Sequence, residues 1–293
     1  PEHPAGYPSG YPHGYPPDYP TAQGHYRPVP PRNPNPVLAG SLRVLGLVVV
    51  LGLLGAGAAA VVVEFFRQQA IETAPLAIGV TQVFATTDTG DVRVRAAAVG
   101  EQPRMIRTLH WSFERPQLQQ AVSAGIARVD ARCPRQWFMS NCSVDLELVV
   151  PAATAMQVET DTGRISVSGT SGGLTAITST GAVTLSGVSG GSVSARTNTG
   201  DVTVLATGAD GVLAASTDTG DVRLSFTTSP RSVRASTSTG DVTISVPQGD
   251  SYAVNTRTDV GESTVLVPND PAAPRSISAT TSVGDIQVAT AGR

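Results

Sequence analysis

Thr197-Asn198-Thr199-Gly200-Asp201-Val202 recurs as Thr217-Asp218-Thr219-Gly220-Asp221-Val222 and again as Thr237-Ser238-Thr239-Gly240-Asp241-Val242. Working outward, one glycine per copy aligns Gly90, Gly163, Gly181, Gly200, Gly220, Gly240, Gly261 and Gly284, with spacings from Gly163 onward of 18, 19, 20, 20, 21 and 23 residues. A threonine stands three positions before every one of them: Thr87, Thr160, Thr178, Thr197, Thr217, Thr237, Thr258 and Thr281. The residue seven before the glycine is always apolar (Val83, Met156, Leu174, Val193, Leu213, Val233, Val254, Ile277). So is the residue four after it (Val94, Val167, Leu185, Val204, Leu224, Ile244, Val265, Val288).

Positions −7, −5, −3 and −1 share one face of a strand, because side chains alternate with a period of two. After the glycine the inward parity resumes at +2 and +4. The step from −1 to +2 breaks the alternation, so the glycine and its successor form a corner, where glycine tolerates φ > 0. Each copy is a strand, a corner, a second strand and a looser return. A unit this small cannot close a core alone, but stacking does, with rungs about 4.8 Å apart. The fold class is therefore all-β: a β-solenoid of about 20-residue repeats, with inner columns of Val/Ile/Leu, Ala and Thr hydroxyls able to bond along the stack. The alternative is an antiparallel two-sheet stack with Gly-Asp as a hairpin turn, a poorer hairpin signal than Asn-Gly.

Three further regions surround the repeats. Residues 1–36 hold 12 of the 22 Pro, with Tyr-Pro at Tyr7, Tyr11, Tyr15 and Tyr19; such a segment buries nothing and reads as a disordered cytoplasmic tail, a spacer or a docking strip. Val44 to Val63 carries no charge and no proline, and 20 helical residues span the bilayer core of about 30 Å. The expectation is one transmembrane helix in residues 37–66, preferred over a cleaved signal peptide because the apolar run is too long. Arg27, Arg32 and Arg43 before it place the N-terminus in the cytoplasm and the C-terminal domain outside, a single-pass cell-membrane protein. Residues 67–78 then read as a linker, and 79–290 as the solenoid, with an insert at 96–150 that holds both Trp, His110 and both Cys. Cys133 and Cys142, on the oxidising side in one short loop, are expected to form a disulfide.

Composition removes several function classes. Twenty Arg, no Lys, and 23 Asp+Glu give a formal charge of −3, which is no footprint for nucleic acid. Two Cys and four His, three of them in the first 25 residues, leave no metal framework, and no cofactor set is present. Asp88-Thr89-Gly90, Asp161-Thr162-Gly163 and Asp218-Thr219-Gly220 resemble the Asp-Thr-Gly of aspartic proteases, but sibling copies hold Ser179, Asn198 and Ser238 in the same slot; the motif is a by-product of the corner. The acids after the corner glycine (Asp91, Asp201, Asp221, Asp241, Glu262, Asp285) form a partial column that reads as solvated corner acceptors rather than a calcium site.

The T-x-T-G-D-V pattern, carried by Thr87 to Val92, Thr197 to Val202, Thr217 to Val222 and Thr237 to Val242, resembles the bacterial putative-adhesin family of β-strand-repeat proteins, a domain of unknown function. The resemblance covers roughly residues 79–290, and the copies with Arg164, Ala182 and Glu262 after the glycine depart from it. It implies a surface-exposed solenoid with an adhesive or envelope role and no catalytic residues. The reading is a non-enzymatic protein that presents a rigid Thr/Ser-rich face to a cell-wall polymer, a glycan or a surface protein. The alternatives are a carbohydrate-active solenoid enzyme, which needs clustered acids on one face, and an envelope sensor with a cytoplasmic docking tail.

Overall fold

The computed structural model describes residues 45–54, 57, 67–77, 79–134, 142–207 and 211–291. The chain divides into two units, Pro1–Ala56 and Gly57–Arg293. In the first, residues 45–54 are helical. The expected membrane span is corrected here: among the described residues no helix is long and apolar enough to cross a membrane. The described helical residues, 45–54 and 57, are fewer than the about 20 that a hydrocarbon core of about 30 Å requires. The expectation takes the whole apolar run as one helix from its apolarity and length, neither of which fixes how far a helix extends. The single-pass placement, with a cytoplasmic N-terminus and an external C-terminal domain, rested on that helix and is withdrawn with it. The Pro/Tyr-rich segment 1–36, and residues 44, 55–56 and 58–63 of the apolar run, lie outside the described residues.

From Gln68 onward the described residues of the second unit form strands and their connections. In chain order these are β1 (Gln68–Pro75), β2 (Gln82–Thr89), β3 (Val92–Ala96), β4 (Arg104–Trp111), β5 (Gln117–Ser123), β6 (Ile126–Arg132) and β7 (Cys142–Val150). The repeats continue with β8 (Ala155–Thr162), β9 (Ile165–Ser168), β10 (Leu174–Thr180), β11 (Val183–Val188), β12 (Ser192–Thr199), β13 (Val202–Ala206), β14 (Val212–Ser216) and β15 (Val222–Phe226). The last are β16 (Ser232–Ser236), β17 (Val242–Val246), β18 (Ala253–Val260), β19 (Ser263–Val265), β20 (Ser276–Val283) and β21 (Ile286–Thr290). They form two sheets, ordered β1-β4-β7-β3-β9-β11-β13-β15-β17-β21-β19 and β18-β20-β16-β14-β12-β10-β8-β2-β6-β5. Every repeat places the strand before its corner in the ten-stranded sheet and the strand after it in the eleven-stranded one. Pairing between repeats is parallel throughout, as between β12 and β14 or β13 and β15, which excludes the hairpin alternative.

The core lies between the sheets, where the alternation put it. In the rung of Gly220, Leu213, Ala215, Thr217, Val222, Leu224 and Phe226 are all buried. Fully burying one Val or Leu side chain contributes about 1.5–3 kcal/mol, so each rung is stabilised mainly by the rungs above and below it.

Three features depart from a plain stack. Residues 67–78, read as a linker, contain β1, which pairs antiparallel with β4; Gln69, Ile71 and Thr73 alternate with Ala70, Glu72 and Ala74, so the segment suits a strand. Residues 96–150, read as an interruption, supply a further rung: β6 pairs parallel with β2 and β7 with β3. The antiparallel strands β5 and β4–β1 flank that rung and are the last strands of both sheets at this end. At the other end the order is swapped, because β20 and β21 insert between β16/β17 and β18/β19. The chemistry accounts for the swap. The Gly261 copy has Thr256 where other copies have Ala or Val and Ser263 where they have Val or Ile, and the two hydroxyls bond each other at 2.8 Å. The polar copy faces the open end, and the apolar Ile277, Ala279, Ile286 and Val288 are buried inside.

The loop after β3 is tied by ion pairs. Glu101 receives two 2.7 Å bonds from Arg95 and a 3.0 Å bond from the Ala98 N–H, with Arg104 2.8 Å away. The Arg95 hydrogen bonds, followed by that N–H, hold the Glu101 carboxyl at about 2, well below its ordinary 4.5. A depressed folded-state pKa contributes stability that is fully present above the unfolded value and lost as pH falls through the folded one. Melting temperature is therefore expected to drop between about pH 4.5 and pH 2, and Glu101→Gln to flatten that part of the profile. An unchanged acid limb in the variant would refute this assignment.

Candidate functional site

The corner column organises one edge of the stack. Gly220 has φ = 139°, its N–H donates to the Thr239 carbonyl at 2.9 Å, and its carbonyl accepts from Thr237 Oγ1 at 2.9 Å. The same bond recurs from Thr217 to Gly200, Thr197 to Gly181, Thr281 to Gly240 and Thr258 to Gly284, at 2.9–3.0 Å. Thr178 to Gly163 and Thr160 to Gly90 follow at 3.1 and 3.2 Å. The buried threonines thus satisfy the corner carbonyls of the neighbouring rung rather than one another. All eight aligned glycines lie in this column with positive φ.

Cys133 and Cys142 form a disulfide with Cα atoms 5.8 Å apart, and it closes the corner of the β6–β7 rung. There the Val144 carbonyl takes the place of a corner glycine's, accepting from Thr87 Oγ1 at 3.4 Å, and Asp145 takes the place of the following acid.

The acids form a ladder of acceptors. Asp221 N–H donates to Asp201 Oδ1, Asp241 N–H to Asp221 Oδ1, Asp285 N–H to Asp241 Oδ1 and Glu262 N–H to Asp285 Oδ1, at 2.8–2.9 Å. At the capped end Asp91 N–H donates to Asp145 Oδ1 at 2.8 Å. Arg223 donates to Asp221 at 2.6 Å and forms an ion pair with Asp201 at 3.6 Å. Among the described residues no group of three or more His, Cys, Asp or Glu stands together to hold a metal ion. Asp161 and Asp218 are exposed on separate rungs, and Asp88 accepts from the Cys133 N–H at 2.9 Å. The three Asp-Thr-Gly motifs share no cleft.

Two concavities among the described residues bear on function. At the capped end a cleft of about 570 Å³ is lined by Arg67, Gln68, Gln69, Thr89, His110, Trp111, Cys142 and Ser143. The Arg115 guanidinium lies over the Trp111 ring at 5.6 Å, and His110 Nε2 is 3.9 Å from Asp145 Oδ2. Cys142, one of its lining residues, follows in sequence residues 135–141, which lie outside the described residues.

The second concavity is a trough of about 270 Å³ on the outer face of the eleven-stranded sheet. Its floor is small and hydroxylic, because Ser166 pairs with Thr184 and Ser168 with Ser186 across β9 and β11. Arg93 and Arg95 stand beside Ser166 and Ser168 on β3. Leu205 follows Ser186 in register on β13 and is 43% exposed. Arg95 is held by Glu101, while Arg93 keeps 63% of its side chain exposed. Glu147 is the one acid among the lining residues. The alternation predicted which side chains face outward here. That they form a trough depends on the sizes of residues in adjacent rungs, which the register brings together.

A family model described as Toastrack DUF4097 matches residues 76–289. Among curated proteins none matches the sequence. Similar solved structures include a putative adhesin from Bacteroides fragilis, 14% identical, covering 75% of this chain and 97% of that one with a TM-score of 0.45. A putative adhesin from Parabacteroides distasonis is 7% identical over 75% and 97%, TM-score 0.38. A putative lipid binding protein from the same species is 12% identical over 74% and 96%, TM-score 0.33.

Proposed function

The chain belongs to the Toastrack DUF4097 family, and from that premise we propose that it is a non-catalytic binding protein that holds a linear cell-wall glycan along the outer face of its eleven-stranded sheet. The trough carries this reading. A row of Ser and Thr hydroxyls repeating at the rung spacing of about 4.8 Å offers donors and acceptors to a polyhydroxylated chain. Arg93 supplies a directional donor at one side, and Leu205 an apolar surface at the other for the ring carbons. A rigid parallel sheet pre-pays the ordering of these groups, which favours affinity. Binding is favoured over hydrolysis because cleavage of glycosidic bonds uses a pair of carboxyl groups, and Glu147 is the one acid lining the trough.

The test is co-sedimentation of the full-length protein with insoluble bacterial cell-wall polysaccharide. Filling the floor by Ser168→Trp or Thr184→Trp is expected to weaken retention at least about tenfold, the loss of roughly 1.4 kcal/mol, with melting temperature unchanged. Ser179→Trp, on the opposite sheet, should leave retention intact. Equal retention by all three variants would overturn the assignment.

A further inference from the structure

The two ends of the stack are treated differently. One ends in the antiparallel edge strands β1 and β5. At the other, β18 and β19 are the outermost strands of their sheets, each with one neighbour. The first part of the β18 edge is covered, since Tyr252 pairs with Asn269 and the Val254 N–H donates to Asn269 Oδ1 at 3.1 Å. Residues 255–259 remain as an open edge, which ends where the Val260 carbonyl accepts from the Gly284 N–H at 2.9 Å. Outward from it stand Arg257 and Asp259, 3.4 Å apart, with side chains 77% and 55% exposed, and Val260 is 63% exposed.

An open edge templates pairing with another strand, and its charges decide which pairing is admitted. Parallel, in-register pairing with a second β18 would set Arg257 beside Arg257 and Asp259 beside Asp259. An antiparallel pair centred on residue 257 or on residue 259 also opposes one of these charges to itself. Centring on Thr258 instead sets Arg257 opposite Asp259 twice, once on each side of a two-fold axis, and places Val260 against Thr256. That centre falls within the uncovered segment. Because the two-fold axis sets the same segment of both copies against itself, the contact is isologous and ends at two copies instead of growing into a fibre.

We propose that the open end is a self-association surface that joins two copies of this chain through an antiparallel β18–β18 pair centred on Thr258. The inward hydroxyls of the terminal rung, Thr256 and Ser263, already bond each other, so each copy is folded before it pairs and the association is reversible. Backbone hydrogen bonds at Thr258 and the two crossed ion pairs hold it, the Val260 carbonyl being engaged within its own copy by the Gly284 N–H.

Full-length protein is used throughout, so the apolar stretch at 45–54 is common to all variants. Sedimentation analysis is expected to show a species of twice 30.1 kDa for the wild type. Arg257→Asp alone, or Asp259→Arg alone, should weaken the dimer roughly tenfold, and the double exchange should restore it. Thr258→Cys places two thiols across the axis at about 4.5–5.5 Å between Cα atoms, within disulfide reach; mild oxidation should yield a covalent dimer, while Ser216→Cys should not. A monomeric wild type, a dimer indifferent to both charge reversals, or a double exchange as weak as the single ones would overturn the proposal.

Discussion

Replacing Gly220 with Val is expected to cost about 3–5 kcal/mol, the sum of backbone strain and overpacking, and to melt the central rungs of the stack. Two causes act together. The backbone at φ = 139° is a region that a β-branched residue strongly disfavours. A Cβ at this position would also lie under 3.0 Å from the carbonyl oxygen of Gly200 in the adjacent rung. That carbonyl is held in place because it accepts from Thr217 Oγ1, so it cannot retreat without breaking a buried hydrogen bond. The two causes can be separated with Gly249, which has φ = 109° and nothing within 4 Å of a built Cβ. Gly249→Ala reports the backbone strain alone, of order 1–3 kcal/mol, and Gly220→Ala should cost more. Thermal or urea unfolding decides the matter, and equal costs at the two positions would show that the close approach between corners is not what requires glycine.

Removing the disulfide with Cys133→Ser/Cys142→Ser is expected to cost about 2–3 kcal/mol, the chain-entropy value for a loop of about ten residues. The loss should be local. In a stack each rung is stabilised by its neighbours, so hydrogen exchange should quicken first in β5, β6 and β7, while β14 to β17 keep their protection. The disulfide sits where the other rungs have a glycine corner, and without it the Val144 carbonyl that receives Thr87 Oγ1 loses its fixed position. Reduction that leaves both stability and exchange at the capped end unchanged would contradict this role.

The alternation on either side of the glycines is enough to read strands, inward faces and parallel stacking, because burial on one face imposes a period of two at every copy. The buried threonines were readable as a column, but their acceptors were not: a carbonyl one rung away has no sequence signature. The β6–β7 rung was hidden for a related reason. Ala127, Val129, Ala131, Leu146 and Leu148 are buried as in other rungs, yet the corner between them is a disulfide loop with Val144 in place of glycine, so alignment on glycine passes over it. A second glycine column at the return, where a Cβ on Gly190 would meet the Gly172 carbonyl, was masked by the varying length of the returns. Thr256 and Ser263 stood in the sequence as misplaced polar residues; only the swapped rung order explains them as the seal of an open end. The trough was half visible, since Arg93 and the Ser/Thr positions three after the corner face outward by parity, while the neighbourhood of Leu205 depends on register.

The most direct measurement incubates the full-length protein with purified cell-wall polysaccharide and follows, in one sample, the fraction of polymer retained and its chain-length distribution. Saturable retention with chain lengths unchanged over hours is the predicted result. Progressive shortening of the polymer, or no retention at any protein concentration, would contradict the reading of this protein as a non-catalytic glycan-binding stack.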